Sequence, residues 1–523
     1  MGPNRLTTWP CVVPSRTSSA SLDAERERVG APLGGLEQGG VDIAVIGGGP
    51  AGATAGRLLA EWGHSVAILD RQPARQSLAE SLPPSTRKIL EHVGLLERVD
   101  RAGFLPATGN TAWWGEPAGR SESFAGAPGY QVLRRDFDRL LLDAARVSGA
   151  RLRAGVSVGR VDLEERGDEI GVEYVKRNGA TARLRARFVL DCSGRAGVIA
   201  RRFRVKDKRL TTIALSGVWR SPDGFAGVDA THTLVESYAD GWAWSVPLSK
   251  ELRHVAVMVD PSARAGKAGG SASRYRAELS KTTHFDLLTS NATLGDAPWA
   301  CDASVYGSRA FGGPRFLLVG DAASFLDPMS SFGVKKALTS AWMAAVVANT
   351  CLRRPERAAS ALDLFSRRER EMAATYERES FRYVREAAAR HSSAFWKRRA
   401  VSVSLGDAPE DAGVRAAFEG LKRKRRFRLR PGSGVSHSQV PEIQGSEVVL
   451  ASAVASPALP EGVRHVRGVL VPALLQVASE NQRRDVPGLH QAYSRVGPAV
   501  ALPDFIAVLS YLLANGILER VER

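Results

Sequence analysis

Continuous runs of apolar residues mark the first predictable elements of the chain. The run VDIAVIGG begins at Val41, RFVLDCSG begins at Arg187 and PRFLLVGD begins at Pro314. Each run is aliphatic and ends in glycine or aspartate, which is typical of a strand buried on both faces of a parallel sheet. A helical pattern, ATAGRLLAEWG, follows the first run. The pattern therefore predicts an α/β fold built on a parallel sheet.

A glycine-rich loop joins the first strand to its helix. Gly47, Gly49 and Gly52 have the spacing GxGxxG, and a second strand, SVAILD, ends at Asp70. In this context the first glycine permits a tight turn, the second lets a pyrophosphate approach the backbone, and the third lets the helix lie close to the strand. The helix start, at Ala51, then presents its positive end to the phosphates. The loop predicts a Rossmann-type dinucleotide-binding domain, with Asp70 placed to accept hydrogen bonds from a ribose.

Composition narrows the class of protein. The 523 residues are 44% apolar and 24% charged, which is ordinary for a soluble enzyme. The four cysteines and nine histidines have no ligand or redox spacing, so we expect no metal site and a reducing, cytoplasmic setting. The best candidate for a membrane span, residues 337–352, is interrupted by polar residues, so we expect no membrane association.

The net charge of +17 permits two interpretations. Arginine is spread along the whole chain, so the charge can be a general property of a soluble surface. Alternatively it serves a negatively charged partner. The densest run, KRKRRFRLR at residues 422–430, has no accompanying nucleic-acid-binding module, so we expect no nucleic acid as partner.

Three motifs in order resemble those of FAD enzymes related to the aromatic hydroxylases. They are Asp191 with the following Cys-Ser-Gly, Gly320-Asp321, and Asp327-Pro328 before a long helix that opens at Gly333. The resemblance implies FAD as cofactor, with Asp321 at the ribityl hydroxyls and the helix start at the N1 and C2-oxygen edge of the flavin. Reduced flavin gains negative charge at that edge, and a helix N-terminus stabilises it.

Shorter segments resemble flavin-dependent halogenases in particular. Trp242 and Trp244 lie in DGWAWSVPL, which is similar to the WxWxIP motif of that group. Glu80 opens ESLPP, which is similar to its Glu-Ser-Leu-x-Pro segment, and Arg134 lies in QVLRRDFD, where the family has an arginine along the FAD. The two tryptophans are equally compatible with ordinary core packing at strand spacing.

Together these patterns assign a cofactor site and a set of domains. The residues expected to bind FAD are Gly47, Gly49, Ala51, Gly52, Asp70, Glu80, Arg134, Asp191, Gly320, Asp321, Pro328, Gly333 and Val334. The domains expected are a disordered leader (1–40), an FAD-binding domain of the aromatic-hydroxylase type (41–352, made of 41–72, 130–200 and 300–352), an interleaved α+β substrate domain (73–129 and 201–299), a basic helical region (353–430) and a small C-terminal domain (431–523). The last is a helical unit after a Pro431-Gly-Ser-Gly linker, either winged-helix-like or a capping subdomain.

The departures from the halogenases are informative. Those enzymes carry the oxidised halogen on a lysine, but the equivalent stretch here, FLPATGNTAWWG at residues 104–115, contains none. Their halide-binding Ser/Thr-Gly step reads Phe332-Gly333 after Ser331, and the glutamate of the tryptophan-type enzymes is Ser330. We expect Phe332 to line an active-site wall with Trp242 and Trp244, and we identify no general base.

These observations favour a monooxygenase that hydroxylates an aromatic substrate through a flavin hydroperoxide. A halogenase and a reductase of the geranylgeranyl-reductase type stay open as alternatives. The long extension after residue 352 and the basic run suggest a substrate carried on an acidic carrier protein or a peptide. No second nucleotide motif is visible, so a separate flavin reductase is a further partner to consider.

Overall fold

The computed structural model describes residues 40–521, apart from residues 72–77, 117, 165–166, 208–209, 262–270, 402–411, 424–425, 481 and 483. Except for Gly40, the expected disordered leader lies outside the described residues. The described chain forms two compact units, residues 40–401 and residues 412–521. The expected mixed α/β fold is confirmed.

The first unit contains both strands and helices. Its strands are β1 (Val41–Ile46), β2 (Val66–Asp70), β3 (Ala79–Leu82), β4 (Leu105–Ala107), β5 (Gly109–Trp113), β6 (Arg120–Ser123), β7 (Gly129–Leu133), β8 (Arg151–Ala154), β9 (Ser157–Asp162), β10 (Ile170–Val175), β11 (Thr181–Asp191), β12 (Arg204–Val205), β13 (Ile213–Arg220), β14 (His232–Tyr238), β15 (Gly241–Pro247), β16 (Leu252–Val259), β17 (Thr293–Leu294), β18 (Trp299–Asp302), β19 (Gly307–Ser308), β20 (Gly312–Gly313) and β21 (Phe316–Leu318). Its helices are α1 (Pro50–Glu61), α2 (Thr86–His92), α3 (Leu96–Asp100), α4 (Arg134–Val147), α5 (Ser271–Leu279), α6 (His284–Ser290), α7 (Gly333–Arg353), α8 (Ala358–Arg390) and α9 (Ala394–Val401).

The apolar runs form a parallel sheet, as the sequence predicts. They form the parallel part of an eight-stranded sheet, in the order β21-β11-β1-β2-β8, in which all four neighbouring pairs run parallel. Strand β20 pairs antiparallel with β21, and β10 pairs antiparallel with β11 and β9. Ile46 pairs with Asp191 and with Leu69, and Asp191 pairs with Leu318, so the strand ends that carry the motifs meet at one edge. Ligands of open α/β sheets bind outside this carboxyl edge.

The helices α1 and α7 pack together beside this sheet. Helix α1 is rich in small residues, and a Cβ added at Gly56 would come within 2.8 Å of Ile68 Cδ1. Glycine therefore sets the close approach of α1 to β2. Helix α7 is buried over most of its 21 residues, which explains its nearly continuous apolar sequence.

A second, mainly antiparallel sheet forms the interleaved substrate domain. Its main order is β17-β13-β16-β15-β14-β5-β6, and β18 also pairs with β13. One face packs with Tyr275 of α5 and Phe285 of α6, and the other packs with Val384 of α8 and Trp396 of α9. Two assignments differ from the expected ranges: β7 pairs with β3 and β4 in a small separate sheet, and β18 belongs to the substrate sheet.

The second unit has its own apolar core. Its elements are α10 (Ala412–Arg423), β22 (Arg428–Pro431), β23 (Ser436–Gln444), β24 (Glu447–Ser456), β25 (Leu459–Val463), β26 (His465–Val466), β27 (Val469–Leu470), α11 (Val471–Ser479), α12 (Val486–Tyr493), α13 (Leu502–Ala514) and β28 (Leu518–Val521). The core combines α11, α12 and α13 with Leu421, Phe427 and Leu429.

This unit begins earlier than the sequence suggests. The expected boundary at residue 431 falls inside a pairing, because Pro431 of β22 pairs with Leu518 of β28 and Gly432 N donates to Ile517 O at 3.0 Å. The stretch after Pro431 is therefore part of the folded unit and not a linker. The expected helices are present, but strands β23 to β25 add a three-stranded sheet to them.

The pairing of β22 with β28 predicts where the unit can be cut. A fragment of residues 404–523 should fold and melt cooperatively, whereas a fragment of residues 431–523 should lose Leu421, Phe427 and Leu429 from its core. Burying each such side chain contributes about 1.5–3 kcal/mol, and small domains have only about 5–15 kcal/mol in total. Circular dichroism with thermal melting tests this, and an equally stable shorter fragment would contradict it.

Candidate cofactor and substrate site

The glycine turn after β1 depends on direct contact between backbones. Gly47 has a φ of +99°, and a Cβ there would lie 2.4 Å from the carbonyl oxygen of Cys192. A Cβ on Gly52 would lie 1.9 Å from the carbonyl oxygen of Gly47. Neither position has room for a side chain. Both glycines are therefore required by the fold itself.

Gly49 is different, because the protein leaves space beside it. A Cβ there would have ordinary contacts only, 3.7 Å from Arg134 Nη2 and 3.9 Å from Asp138 Oδ2. No side chain caps helix α1, whose first residue is Pro50, so the amide groups of Ala51 and Gly52 in its first turn are available to a ligand. This open, positively polarised loop fits a pyrophosphate.

The Asp70 side chain is hydrogen-bonded to the same glycine loop. Its Oδ1 accepts a hydrogen bond from Gly48 N at 3.0 Å. The carboxylate at the end of β2 is therefore held next to the glycine turn. A contact between Asp70 and a cofactor ribose stays a prediction.

Arg134, at the start of α4, belongs to a cluster of charges beside Gly49. Its guanidinium forms two hydrogen bonds with Asp138, at 2.9 and 3.0 Å, and its Nη1 lies 3.5 Å from Glu80 Oε1. Burial raises the pKa of Glu80, against the opposing charge of Arg134, and the charge of Asp321 raises it further. The structure thus brings together Glu80, Arg134 and Asp321, three residues that the sequence assigned separately to the cofactor.

Asp321 lies in a loop that is held by the buried ammonium group of Lys336. Lys336 on α7 is fully buried; its Nζ donates to Gly320 O at 3.0 Å and to Ser324 O, and lies 3.7 Å from Asp321 Oδ1. Glu369 of α8 is also fully buried, and burial raises its pKa to about 7 while the charge of Lys336 opposes the shift. The Asp321 side chain stays 30% exposed, so it can still contact a ligand.

Asp191 departs from its expected contact with the cofactor. It is fully buried, and its carboxylate accepts hydrogen bonds from Ser193 N, Ser193 Oγ, Ile199 N and Ala200 N at 2.5–3.1 Å. These donors all belong to the loop after β11. Asp191 therefore shapes the end of the strand and is not exposed to a ligand.

The start of α7 is open, as a flavin-binding helix start requires. Asp327 Oδ1 accepts from Met329 N at 3.1 Å and caps a short turn that begins at Pro328. Ser331 then adopts a left-handed φ of +51°, and no side chain caps α7. No atom lies within 4 Å of a Cβ added to Gly333. The first amides of α7, including that of buried Val334, can therefore meet a negatively charged ring edge.

The three expected wall residues have different surroundings. Trp242 is 2% exposed and lies in the core between the substrate sheet and α8 and α9. Trp244 is partly exposed on the same strand. The ring of Phe332, just before Gly333, lies 5.2 Å from the ring of Tyr376. Trp244 and Phe332 thus remain candidates for a wall, whereas Trp242 is a core residue.

Lys335 on α7 is a basic residue of the site that the sequence reading missed. Its Nζ donates to Ser85 Oγ at 3.1 Å and lies 5.1 Å from the centre of the Phe332 ring. Burial, with a smaller contribution from the charge of Lys88, lowers its pKa to about 8. Its position two residues after Gly333, in the first turn of the predicted flavin-binding helix, could have indicated that it lies at the site. Lys335 is thus a basic residue near the site, although residues 104–115 contain no lysine.

The chemistry of these groups fits FAD. Two open helix starts, the space beside Gly49 and an exposed carboxylate at Asp321 meet at one sheet edge. Within the described ranges, no cluster of His, Cys, Asp and Glu could hold a metal ion. Nor does any helix in that part of the chain have the length and apolar character to cross a membrane.

Comparisons with known proteins identify the class. Residues 40–380 match the family model described as FAD binding domain. The chain belongs to this family of flavin-binding oxidoreductases, and FAD is its cofactor.

Within that class the relatives are mainly halogenases. A tryptophan 2-halogenase of Chondromyces crocatus is 30% identical over 62% of the chain, and the chain spans 64% of that relative's length. A 1H-pyrrole-2-carbonyl-[peptidyl-carrier protein] chlorinase of Pseudomonas fluorescens is 28% identical over 58% of the chain and 74% of its own length.

Solved structures include both halogenases and a hydroxylase. The flavin-dependent halogenase CmlS is similar over 93% of this chain and 98% of its own, with 25% identity and a TM-score of 0.76. QhpG, a peptidyl tryptophan dihydroxylase essential for tryptophylquinone cofactor biogenesis, is similar over 91% and 100%, with 25% identity and a TM-score of 0.65. The expected resemblance to the halogenase and monooxygenase superfamily is confirmed.

The different surroundings of Gly49 and Gly52 predict separable effects. Gly49→Val should fold normally but lose FAD, because its side chain enters the space left for the pyrophosphate. Gly52→Ala should instead lose the fold, since its Cβ would overlap the Gly47 carbonyl. Flavin absorbance and thermal melting of the purified variants test this; normal flavin content in Gly49→Val would contradict the site.

The two aspartates should also separate binding from stability. Asp321→Ala should weaken FAD binding by about tenfold or more, the equivalent of about 1.4 kcal/mol, with a smaller fall in melting temperature than Asp191→Ala. Asp191→Ala should chiefly destabilise the protein, because it leaves several buried amides without an acceptor. Flavin release on dialysis and melting curves measure both, and equal flavin loss at equal stability would refute the distinction.

Proposed function

We propose that the chain is an FAD-dependent monooxygenase that transfers oxygen to an aromatic substrate. The observation that carries the proposal is the lack of a lysine at residues 104–115, together with a phenyl ring in place of a small hydroxyl residue at 332. Reduced FAD with molecular oxygen supplies the oxidising chemistry. Residues 104–115 therefore lack the carrier lysine that the resemblance to halogenases implies at this position.

The chain's own groups then have distinct tasks. The open amides of α7 stabilise negative charge at the flavin edge, and Lys336 fixes the loop that carries Asp321. Arg134 compensates negative charge beside Gly49. Trp244 and Phe332 reduce the access of water to the reacting centre.

A halogenase is the second candidate, and two observations favour it. Halogenases dominate the similar proteins, and Lys335 supplies a partly desolvated amine beside Phe332. A lysine with a lowered pKa is a better nucleophile at neutral pH and could capture an oxidised halogen. Lys335 reaches this position from a helix, whereas the halogenase lysine follows the Glu-x-x-x-Pro segment.

We propose in addition that the aromatic group is presented on a peptide or a carrier protein. Two similar proteins support this: QhpG, whose name specifies a peptidyl substrate, and the chlorinase, whose name specifies a peptidyl-carrier protein. The net charge of +17 would raise the encounter rate with acidic carriers. Supply of reduced FAD by a separate reductase belongs to the same proposal.

Product mass distinguishes the two functions. The enzyme is incubated with reduced FAD, oxygen, chloride or bromide, and peptides that contain tryptophan or tyrosine. We expect one or more added oxygen atoms, independent of halide and unchanged in Lys335→Met. A halogenated product that is lost in Lys335→Met, but kept in the control Lys250→Met, would replace oxygen transfer with the second candidate. Lys250 is an exposed lysine in the turn after β15.

A further inference from the structure

A buried acidic side chain lies in the apolar face of helix α8, and the proposed mechanism does not use it. The buried residues of α8 include Ala361, Phe365, Glu369 and Tyr376, whose spacing of four, four and seven residues puts them on one face of the helix. Glu369 occupies a position in this stripe where an apolar residue is expected, and it is fully buried. A carboxylate at such a position requires a compensating group.

Two groups on helix α7 act on the Glu369 carboxyl. Burial raises the pKa of Glu369 to about 7, while the charge of Lys336 and the hydroxyl of Ser340 act in the opposite direction. Lys336 and Ser340 are four residues apart and are also fully buried, so one turn of α7 presents both groups to α8. Among the described residues, Lys336 is the one charged group that acts on this carboxyl, and neither carboxyl oxygen accepts a hydrogen bond.

The same two groups hold the loop that carries Asp321. Lys336 Nζ donates to Gly320 O at 3.0 Å, and Ser340 Oγ accepts a hydrogen bond from Gly320 N at 2.9 Å. Both polar backbone groups of Gly320 are thus bonded to side chains that also act on Glu369. Lys336 Nζ lies 3.7 Å from Asp321 Oδ1 as well. Because the cluster is buried, solvent screens its charges weakly, and a change in the charge of Glu369 is felt at this loop.

Reduction of the flavin adds negative charge near this cluster. The open start of α7 at Gly333 is the predicted position of the N1 and C2-oxygen edge of the ring, and Lys336 lies in the first turn of that helix. A negative charge gained there raises the pKa of a nearby carboxyl, because like charges repel. Glu369 already titrates near neutral pH, so the added charge favours its protonated form.

We propose that Glu369 takes up a proton when FAD is reduced and so adjusts the charge around the cofactor loop. Two electrons and one proton enter the flavin, which becomes anionic, and a second proton from solvent forms the O–H bond of the Glu369 carboxyl. Lys336 keeps its proton but loses its counter-ion, so its full positive charge then acts on the reduced cofactor. Glu369 is a positioning residue, since it acts through Lys336. The inference holds for oxygen transfer and for halogen transfer alike, because both require reduced FAD.

The pH dependence of the two-electron midpoint potential tests this in the FAD-loaded enzyme. Potentials are measured from about pH 6 to about pH 9, with dithionite as reductant and dyes of known potential as references. Above about pH 7 the wild type should take up two protons per two electrons, whereas Glu369→Gln should take up one. At about pH 8 the wild-type potential should be lower than that of Glu369→Gln by about 30 mV, a tenfold change in the two-electron equilibrium. The ionised carboxylate disfavours the anionic flavin, so the two potentials should converge at lower pH.

Two further variants and a second readout complete the experiment. Glu369→Leu restores the apolar stripe and should behave like Glu369→Gln. Glu371→Gln is the matched control, because Glu371 lies on the same helix but is exposed in an ion pair with Arg368; this variant should keep the wild-type pH dependence. Infrared difference spectra of reduced and oxidised enzyme should show the carbonyl band of a newly protonated carboxyl in the wild type and in Glu371→Gln, and not in the variants at 369.

Three results would overturn the assignment. A wild type that takes up one proton per two electrons at every pH has no redox-linked carboxyl, and Glu369 is then a buried structural charge. A two-proton region that persists in Glu369→Gln and Glu369→Leu assigns the second proton to the flavin itself or to another group. If both variants release FAD, Glu369→Asp decides, and a carboxyl band unchanged in frequency contradicts the proposal. None of these measurements involves turnover, so failure of oxygen transfer leaves them intact.

Discussion

The cofactor site depends on backbones that approach one another without intervening side chains. The turn after β1 touches the loop after β11 at Gly47 and the start of α1 at Gly52, and Gly320, with a φ of +62°, brings the loop after β21 against Ala51 and Ala337. A single added carbon at Gly47 or Gly52 would separate these segments. Because they touch, the starts of α1 and α7 lie at the same sheet edge.

This proximity concentrates positive charge at the sheet edge, and nearby carboxylates compensate it. The two uncapped helix starts, Arg134, Lys335 and Lys336 all add positive potential around the edge, while Glu80, Asp138 and Asp321 are the carboxylates nearby. Lys336 contributes without access to solvent, since its ammonium bonds to two carbonyls below Asp321. An edge of this kind can hold a pyrophosphate and stabilise a flavin as it becomes anionic. The same edge is therefore suited to both the pyrophosphate and the ring edge of the cofactor.

The sequence predicts those features that are local. The GxGxxG loop, the Gly-Asp step at 320 and the opening of α7 at Gly333 could be predicted because short spacings dictate their backbone. The partners of Asp191, the burial of Lys336 and the pairing of Pro431 with Leu518 could not, because they depend on segments that are distant in sequence. Strands β23 to β25 were missed for a related reason: β23 is polar, and the Pro-Gly-Ser-Gly stretch before it has a linker-like composition.

The surroundings of the two tryptophans in the substrate sheet could not be predicted from the sequence either. Trp242 and Trp244 look equivalent in sequence, yet Trp242 is buried in the core shared with α8 and α9, whereas Trp244 is partly exposed, packs against the same core and also lies beside His254. What separates them is the neighbouring strand: Trp242 pairs with Met258 and Trp244 with Ala256, whose small side chain leaves the indole of Trp244 close to the imidazole two residues away. A tryptophan motif shared with halogenases can thus have different roles at its two positions.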